Sequence, residues 1–373
     1  MSAARRLLAV NFRDPAHPEA GGAELHLEEI LLEAVRRGWD VTWLASAFRG
    51  APPEGEHRGM RIVRRGDWWS FNLAVPRVLA REFGGARTPE LVIEDINKVP
   101  CFTAQWTKAP VAVIVPHLFG VTAFQEANAA IATYVVALER LIPAAYRGSR
   151  FLAISESTRD DLVARGVPAG RVTVVHCGMN HERYTPDPSV AKAAEPTLVF
   201  VGRLRRYKGL DWVLRALPRV RAKFPSLRLD VIGDGPWQAD LERRTRAAGL
   251  AETVRFHGFL PPSEKVRRLR EAWALIQPSP KEGWGLTVIE AGACGTAVVA
   301  ADSPGLRDSV RRDETGLLVP YGDDAALAGA LERVLGDAGL RARLADAGVR
   351  WAAGFRWDDC ARRSLDALTG EGA

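Results

Sequence analysis

The chain has 373 residues, a length that favours two domains over a single hydrophobic core. Hydrophobic residues make up 47 % of it and charged residues 26 %, as in globular proteins, and the formal net charge is +6 at pH 7. No block of five or six like charges occurs, which argues against a nucleic-acid-binding tail, and no run of 18 apolar residues predicts a membrane-spanning helix.

The cysteines and the start of the sequence indicate a reducing compartment. Cys101, Cys177, Cys294 and Cys360 lie far apart, without the paired spacing of a zinc site or a redox dithiol. The first apolar segment, 7–10, is too short for the core of a signal peptide. We therefore expect a cytoplasmic protein that binds no nucleic acid, and any membrane contact to be peripheral, on the inner face.

Short apolar segments alternate with helical patterns along the first half of the chain. Residues 23–37 and 156–165 have helical periodicity. The strands predicted in this first series are 7–10, 40–45, 91–94, 111–115, 151–154 and 172–175.

The alternation restarts after residues 180–196, a stretch with three prolines that is the predicted linker. The strands predicted in the second series are 197–201, 228–232, 254–257, 274–277, 297–300 and 316–319. Strand–helix alternation favours parallel sheets. The fold prediction is an α/β protein with two doubly wound Rossmann-like domains, 1–185 and 186–354, that face each other across a cleft.

A cationic loop follows the first strand of the second series. Residues 202–208 read Gly-Arg-Leu-Arg-Arg-Tyr-Lys, which places Arg203 and Lys208 beyond the carboxyl end of that strand. Ligands of open parallel sheets bind at such ends, and these cations suit a diphosphate. Two solvated surface cations are the alternative interpretation, which we prefer for Arg205 and Arg206.

Two carboxylates flank a glycine-rich turn at the start of a predicted helix. Residues 282–290 read Glu-Gly-Trp-Gly-Leu-Thr-Val-Ile-Glu. Unpaired N–H groups at a helix start suit phosphate, while Glu282 and Glu290 suit hydroxyls of a sugar and a ribose. The alternative is a helix cap followed by a surface residue. The candidate donor-binding residues of this turn are Gly283, Trp284, Gly285, Leu286 and Thr287.

Weaker candidates lie in the first series. Gly21 and Gly22, between the first strand and the first helix, allow a close approach to phosphate or acceptor, or form an ordinary turn. His117 ends a strand and is either functional or simply packed. The first loop lacks Gly-x-Gly-x-x-Gly, which argues against a nicotinamide cofactor.

Three further loops follow predicted strands. Gly258, Phe259 and Leu260 could present backbone groups to a nucleobase, although turn chemistry explains them and residues 233–236 equally well. Capping of the next helix accounts for Ser155 and its neighbours.

Several motifs are absent. The chain contains no Asp-x-Asp, no Gly-x-x-x-x-Gly-Lys-Ser/Thr loop and no Gly-x-Ser-x-Gly elbow. We therefore expect leaving-group charge to be met by protein cations and helix N–H groups, without a metal ion. No cofactor is expected besides a nucleotide-sugar co-substrate.

Together these motifs resemble those of the retaining family 4 glycosyltransferases, which have the GT-B fold of two Rossmann-like domains. The resemblance covers nearly the full length. Two segments depart from the family pattern: Trp284 stands where Phe is common, and His-Cys-Gly-Met-Asn at 176–180 replaces Pro-Asn-Gly-Val-Asp. The segments that carry the resemblance are Gly21-Gly22, His117, 201–209, 233–236 and the Glu282-x7-Glu290 motif.

The resemblance implies a role for each residue. Arg203 and Lys208 would neutralise the donor diphosphate beside Gly202, and N–H groups from Gly285 to Thr287 would complete its site. Glu290 would bind the ribose, Glu282 the 3- or 4-hydroxyl of the donor sugar, and His117 the sugar near its 6-hydroxyl. The final helix, about 355–373, would pack back onto the first domain.

The implied activity is that of a retaining, metal-independent hexosyltransferase (EC 2.4.1-type). It would move a hexose from a UDP- or GDP-sugar to an acceptor hydroxyl in glycan, glycolipid or natural-product glycoside synthesis. The alternatives are a sugar phosphorylase or epimerase of the same fold, and a non-catalytic nucleotide-sugar-binding subunit. The donor base, the sugar and the acceptor stay open.

Basic and aromatic residues occur together at 58–81, which includes Trp68, Trp69 and Phe71. Such a segment suits an anionic lipid surface. A surface loop followed by an ordinary amphipathic helix is an equally good interpretation.

Overall fold

The structure, a computed structural model, describes residues 5–371. These residues form two compact units. The first comprises the described residues up to Gly178 and those from Trp357 onwards, and the second is Met179–Arg356. The boundary predicted after residue 185 lies seven residues beyond the first division, and the one predicted after residue 354 lies two residues before the second.

Eight strands form the sheet of the first unit: β1 (Arg6–Val10), β2 (Asp40–Ala45), β3 (Glu54–His57), β4 (Met60–Arg64), β5 (Leu91–Asp95), β6 (Val111–Val115), β7 (Arg150–Ala153) and β8 (Val172–Val174). Their order is β3-β4-β2-β1-β5-β6-β7-β8, and all neighbours are parallel except β3 and β4. The helices between them are α1 (Gly22–Arg36), α2 (Phe71–Glu82), α3 (Ala123–Glu126), α4 (Ala129–Ala145) and α5 (Glu156–Ala164).

Six parallel strands form the sheet of the second unit: β9 (Thr197–Val201), β10 (Arg228–Ile232), β11 (Val254–Gly258), β12 (Ala274–Gln277), β13 (Ala297–Ala301) and β14 (Leu317–Val319). Their order is β11-β10-β9-β12-β13-β14. The helices are α6 (Leu210–Lys223), α7 (Gln238–Ala247), α8 (Pro262–Glu271), α9 (Leu286–Ala293), α10 (Leu306–Ser309), α11 (Asp324–Gly336) and α12 (Ala338–Ala352).

The last helix, α13 (Trp357–Thr369), belongs to the first unit and packs on α1. Its buried face carries Cys360, Leu365 and Leu368, which join the same core as Leu27 and Leu31 of α1. Burial of this apolar face stabilises the helix, since an isolated helix of this length is marginal in water.

The fold prediction of two Rossmann-like α/β domains with parallel sheets is confirmed. Central strands such as β9 are buried at every position, as expected where helices cover both faces of a parallel sheet. In each sheet the early strands are added on one side of the first strand and the later strands on its other side. The point at which the strand order reverses lies between β1 and β5 in the first sheet and between β9 and β12 in the second. Ligands of such sheets bind beyond the carboxyl ends of the strands at this point.

The sequence pattern predicts no strand between residues 46 and 90, yet the structure has the β3–β4 hairpin there. The pattern is misleading because β3 is polar and β4 carries two arginines. Arg64 is buried in β4 because Asp14 pairs with it at 2.6 Å. A buried arginine of this kind requires such a partner.

Among residues 5–371, no helix combines the length and apolar character needed to cross a bilayer. The free cysteines are all buried.

Candidate functional site

The second unit gathers the strongest candidates at the carboxyl ends of two neighbouring strands. Arg203 and Lys208 lie in the loop after β9, and Glu282 lies in the loop between β12 and α9. Because β9 and β12 are adjacent and parallel, both loops leave the same edge of the sheet. The cationic loop and the glycine-rich turn, whose residues Lys208 and Glu282 are 74 positions apart, are therefore brought together at the switch point of this sheet.

Lys208 and Glu282 form a direct ion pair across these loops. The Lys208 Nζ atom lies 2.6 Å from Glu282 Oε1, and the two side chains are only 14 % and 13 % exposed. Burial opposes the charged form of Glu282, but the Lys208 charge and hydrogen bonds from Lys208, Ser279 and Gln277 hold its pKa below the usual value. Burial likewise opposes the charge of Lys208, and Glu282 outweighs it to raise the Lys208 pKa.

Gln277 positions Glu282 and was not identified from the sequence. It is the last residue of β12 and donates from Nε2 to Glu282 Oε1 over 3.1 Å. Its own Oε1 is buried without a hydrogen-bond partner. The sequence signal that could have identified Gln277 is a polar residue at the end of a buried apolar strand, next to a switch point.

Two glycines permit the close approach of the loops. Gly209 has φ +71°, and a Cβ there would lie 2.4 Å from the carbonyl oxygen of Pro278 in the loop after β12. Gly285, immediately before α9, has φ +93°, and its Cβ would lie 2.8 Å from Ser309 Oγ. Side chains are disfavoured at both positions because of the positive φ and the crowding. The N-terminus of α9 therefore stays open to a ligand through its backbone, at Leu286 and Thr287.

Glu290 belongs to a second charged cluster on α9. Its Oε2 lies 2.8 Å from Lys265 Nζ of α8, and that ammonium lies 4.9 Å from the centre of the Tyr184 ring. Burial and the nearby Glu290 carboxylate raise the pKa of Tyr184 to about 12. Lys265 and Tyr184 were missed because neither lies in a recognisable motif.

Other donor candidates differ in accessibility. The Trp284 side chain is 2 % exposed and packs edge-to-face on Phe355, so only its backbone can meet a ligand. Phe259 is 78 % exposed, which leaves its ring available for stacking, while Leu260 is half-buried. Gly258 accepts a hydrogen bond from Gly233 N over 2.8 Å.

The turn at 233–236 supports the loop that carries Arg203. Gly202 N donates to Ile232 O over 3.0 Å, and Leu204 N donates to Asp234 O over 2.7 Å. Arg203 itself is half-buried between these two anchored residues. The turn therefore has a structural role next to the candidate site.

In the first unit, Gly21 and Gly22 lie at the start of α1. The Gly21 N–H donates to Glu24 Oε2 over 2.7 Å, and Asn97 Nδ2 donates to the other oxygen of the same carboxylate over 3.0 Å. Glu24 is buried. The Gly21 amide is thus already engaged by the capping box of this helix.

His117 follows β6 and is half-buried, with its ring 5.0 Å from that of Phe119. The loop after it is anchored by Glu139, which accepts from Phe119 N over 2.6 Å and from Gly120 N over 2.9 Å. The predicted capping role of Ser155 is confirmed, since its side chain accepts from Thr158 N.

A polar cluster at the end of β5 was also missed. Asp95 Oδ2 accepts from Asn11 Nδ2 over 2.9 Å, whereas Asp95 Oδ1 and Asn97 Oδ1 are buried without hydrogen-bond partners. Burial, together with the nearby Glu24 and Glu94 charges, raises the Asp95 pKa well above its usual value. Glu94 is fully engaged by the backbone of residues 101 and 103. The unpartnered oxygens of Asp95 and Asn97 lie at the switch point of the first sheet.

The basic and aromatic segment at 58–81 is largely engaged within the first unit. Arg61 and Arg65 pair with Glu54, Arg64 pairs with Asp14, and Phe71 is fully buried. Trp69 stays 75 % exposed. Membrane contact through this segment stays a prediction, with fewer residues available for it.

Two protein families match the two halves of the chain. The family described as Glycosyltransferase Family 4 matches residues 20–183, and that described as Glycosyl transferases group 1 matches residues 185–351. The matches meet close to the division between the two units.

Individual relatives of this chain are also named as glycosyltransferases. A D-inositol 3-phosphate glycosyltransferase of Streptomyces bingchenggensis is 34 % identical over 253 residues, covering 63 % of this chain and 55 % of the relative. The chain thus spans about half the length of this relative. A protein of the same name from Thermobispora bispora is 29 % identical over 392 aligned positions, covering 95 % of this chain and 91 % of the relative.

Solved structures share the fold at low identity. Sucrose-phosphate synthase of Thermosynechococcus elongatus superposes with a TM-score of 0.82 at 23 % identity, over 96 % of this chain and 97 % of the other. HepE of Anabaena, solved with UDP-glucose, gives a TM-score of 0.75 at 18 % identity, over 98 % and 99 % of the two chains.

Proposed function

Because the chain belongs to the family 4 glycosyltransferases, which have the GT-B fold, we propose that it moves a hexose from a UDP- or GDP-sugar to an acceptor hydroxyl. The transfer would retain the anomeric configuration and need neither a metal ion nor a cofactor. The observation that carries this proposal is the buried Lys208–Glu282 pair beside the N-terminus of α9. It places a cation, a carboxylate and free helix N–H groups at one switch point.

In this proposal the donor diphosphate binds to Arg203, to Lys208 and to the N-terminus of α9. Arg203 and Lys208 meet the charge that grows on the leaving phosphate, and N–H groups from Gly285 to Thr287 add a partial positive charge. Removing one preorganised contact of this kind typically slows turnover on the order of 100–1000-fold. That HepE of Anabaena was solved with UDP-glucose supports a nucleotide sugar as donor.

Glu282 binds a hydroxyl of the donor sugar in this proposal. The Oε1 atom of Glu282 is shared by Lys208 and Gln277. The arriving diphosphate competes for the Lys208 ammonium, and Glu282 then turns an oxygen to the sugar. Gln277 continues to donate to Glu282 Oε1 during this exchange.

Glu290 binds the ribose of the donor. Lys265 holds this carboxylate at 2.8 Å within a partly buried cluster. A charged acceptor of this kind forms strong hydrogen bonds with the two hydroxyls of a ribose. The exposed ring of Phe259 is suited to stacking on the base.

The acceptor binds, in this proposal, at the polar cluster of the first unit. The unpartnered oxygens of Asp95 and Asn97 are suited to hydrogen bonds with a polyhydroxyl compound. His117 contacts the transferred sugar. The acceptor oxygen bonds to the anomeric carbon as the carbon–phosphate-oxygen bond breaks, and the acceptor proton passes to the leaving phosphate.

A donor and acceptor panel tests the function. UDP- and GDP-hexoses are incubated with the protein in EDTA, with and without D-inositol 3-phosphate, and nucleotide diphosphate release is measured. The acceptor is chosen because relatives are named for it. We expect acceptor-stimulated release with one donor class. Release that needs added divalent metal would contradict metal independence, and sugar cleavage by inorganic phosphate alone would indicate a phosphorylase.

A further inference from the structure

The first unit contains a cavity of about 1130 Å³ at the edge of its sheet opposite to His117. It is lined by the first residues of β6 and β7, the segment before β8, the C-terminal end of α4 and one face of α13. His117 follows the other end of β6, and the four steps along this strand span ~13 Å. The cavity is thus separate from the polar cluster at the carboxyl edge.

Five arginines line this cavity, namely Arg147, Arg150, Arg171, Arg362 and Arg363. Asp366 is the carboxylate in its lining, and that side chain lies 2.6 Å from Arg37. Asp359 pairs with Arg362 and, at 3.4 Å, with Arg363. The guanidinium groups from α13 are therefore partly neutralised, while those from the sheet edge are not.

Three of the five lack an acidic partner within the described part of the chain. Across residues 5–371, no carboxylate lies within 4.0 Å of the guanidinium nitrogens of Arg147, Arg150 or Arg171. Arg150 contacts the carbonyl oxygen of Thr369 at 3.5 Å, which helps to cap α13. The ends of α4 and α13 each contribute about half a negative charge. These partial charges are smaller than those of three unpaired cations.

We propose that this cavity is an anion site, distinct from the donor site, for a compound with two or more phosphate groups. Guanidinium groups bind phosphate oxygens in a two-pronged manner, and several of them around one concavity fit several phosphates. The volume is close to that of ordinary small-molecule sites. The phosphates belong either to a soluble compound or to a lipid headgroup that reaches into the cavity.

Binding of inorganic tripolyphosphate by isothermal titration calorimetry at low ionic strength is the first test. It is made in a Lys208→Ala background, so that the donor site contributes little. We expect saturable binding that weakens at least roughly tenfold on adding Arg147→Gln and Arg171→Gln together. The matched control adds Arg246→Gln and Arg255→Gln, exposed arginines of the second unit with the same change in charge. Thermal melts establish that all variants are folded.

The second arm is flotation with vesicles that contain cardiolipin, a lipid whose headgroup carries two phosphate groups. Loss of tripolyphosphate binding in the cavity variant alone assigns a soluble phosphate compound. Loss of flotation in that variant alone, without saturable tripolyphosphate binding, assigns a lipid headgroup. Equal behaviour of the cavity variant and the matched control in both arms overturns the proposal.

Discussion

The Lys208 ammonium lies 2.6 Å from a carboxylate oxygen of Glu282, although 74 residues separate them in the sequence. The pair is largely buried, and Gly209 lets the Lys208 loop approach the loop after β12. The loops that carry the two motifs that stand out in the sequence thus meet in the fold. What each partner does can be tested separately.

Glu282→Gln is expected to destabilise the protein in a pH-dependent way. The folded pKa of Glu282 is lowered, so its contribution to stability is present above the unfolded value of about 4.5 and is lost as the pH falls below it. The free energy of unfolding of the wild type should therefore exceed that of the variant at pH 7, and the gap should shrink towards pH 4. Urea unfolding at both pH values measures this. A gap that stays constant would show that the charge of Glu282 contributes nothing.

Glu290→Ala is expected to weaken binding of the donor nucleotide roughly 10–100-fold, because two hydrogen bonds to a charged group are lost. The control is a 2′,3′-dideoxy analogue of the nucleotide diphosphate, which should bind the wild type and the variant alike. Titration calorimetry with both nucleotides measures the difference. Equal weakening for the two nucleotides would remove the ribose assignment.

Asp95→Ala is expected to raise the KM for the acceptor at least roughly tenfold and to leave the KM for the donor unchanged. Asp95→Asn, which keeps a polar group at the same place, should retain more of the acceptor affinity. Steady-state kinetics with each substrate varied in turn separates the two constants. A donor KM that rises instead would place Asp95 outside the acceptor site.

Because of His26, we predict that the free energy of unfolding falls in acid. This α1 side chain is buried, both ring nitrogens lack hydrogen-bond partners, and burial lowers its pKa to about 4. The unfolded state takes up a proton near pH 6.5 and the folded state only near 4, so stability falls as the pH drops through this window, by about 3 kcal/mol. His26→Leu should remove that loss. Unfolding measured at pH 7 and pH 4.5 for both proteins tests it, and an unchanged pH dependence in the variant would contradict it.

Much of the fold could be predicted because strand–helix alternation is a strong pattern. The polar hairpin of β3 and β4 could not, since Arg64 is tolerated in a buried strand only through Asp14, 50 positions away. At the candidate donor site, Glu282 and Lys208 stand out through their spacing to glycines and to a strand end. Gln277 and Lys265 did not, because their importance arises from contacts across the fold and not from local sequence.

The first unit was harder to interpret for the same reason. Asp95 ends β5 and Asn97 follows it two residues later, but what distinguishes each is a side-chain oxygen without a partner, which only the packed structure reveals. The engagement of Gly21 N–H by Glu24 is likewise a product of the folded helix start.

The central claim is that Lys208 stabilises a leaving nucleotide diphosphate. The most direct measurement is the rate of nucleotide diphosphate release from the preferred hexose donor for the wild type, Lys208→Ala and Arg206→Ala. Arg206 is an exposed cation two positions away and serves as the matched control. We predict that Lys208→Ala lowers turnover roughly 100–1000-fold while Arg206→Ala stays within a few-fold of the wild type. Near-normal turnover of Lys208→Ala would contradict the account.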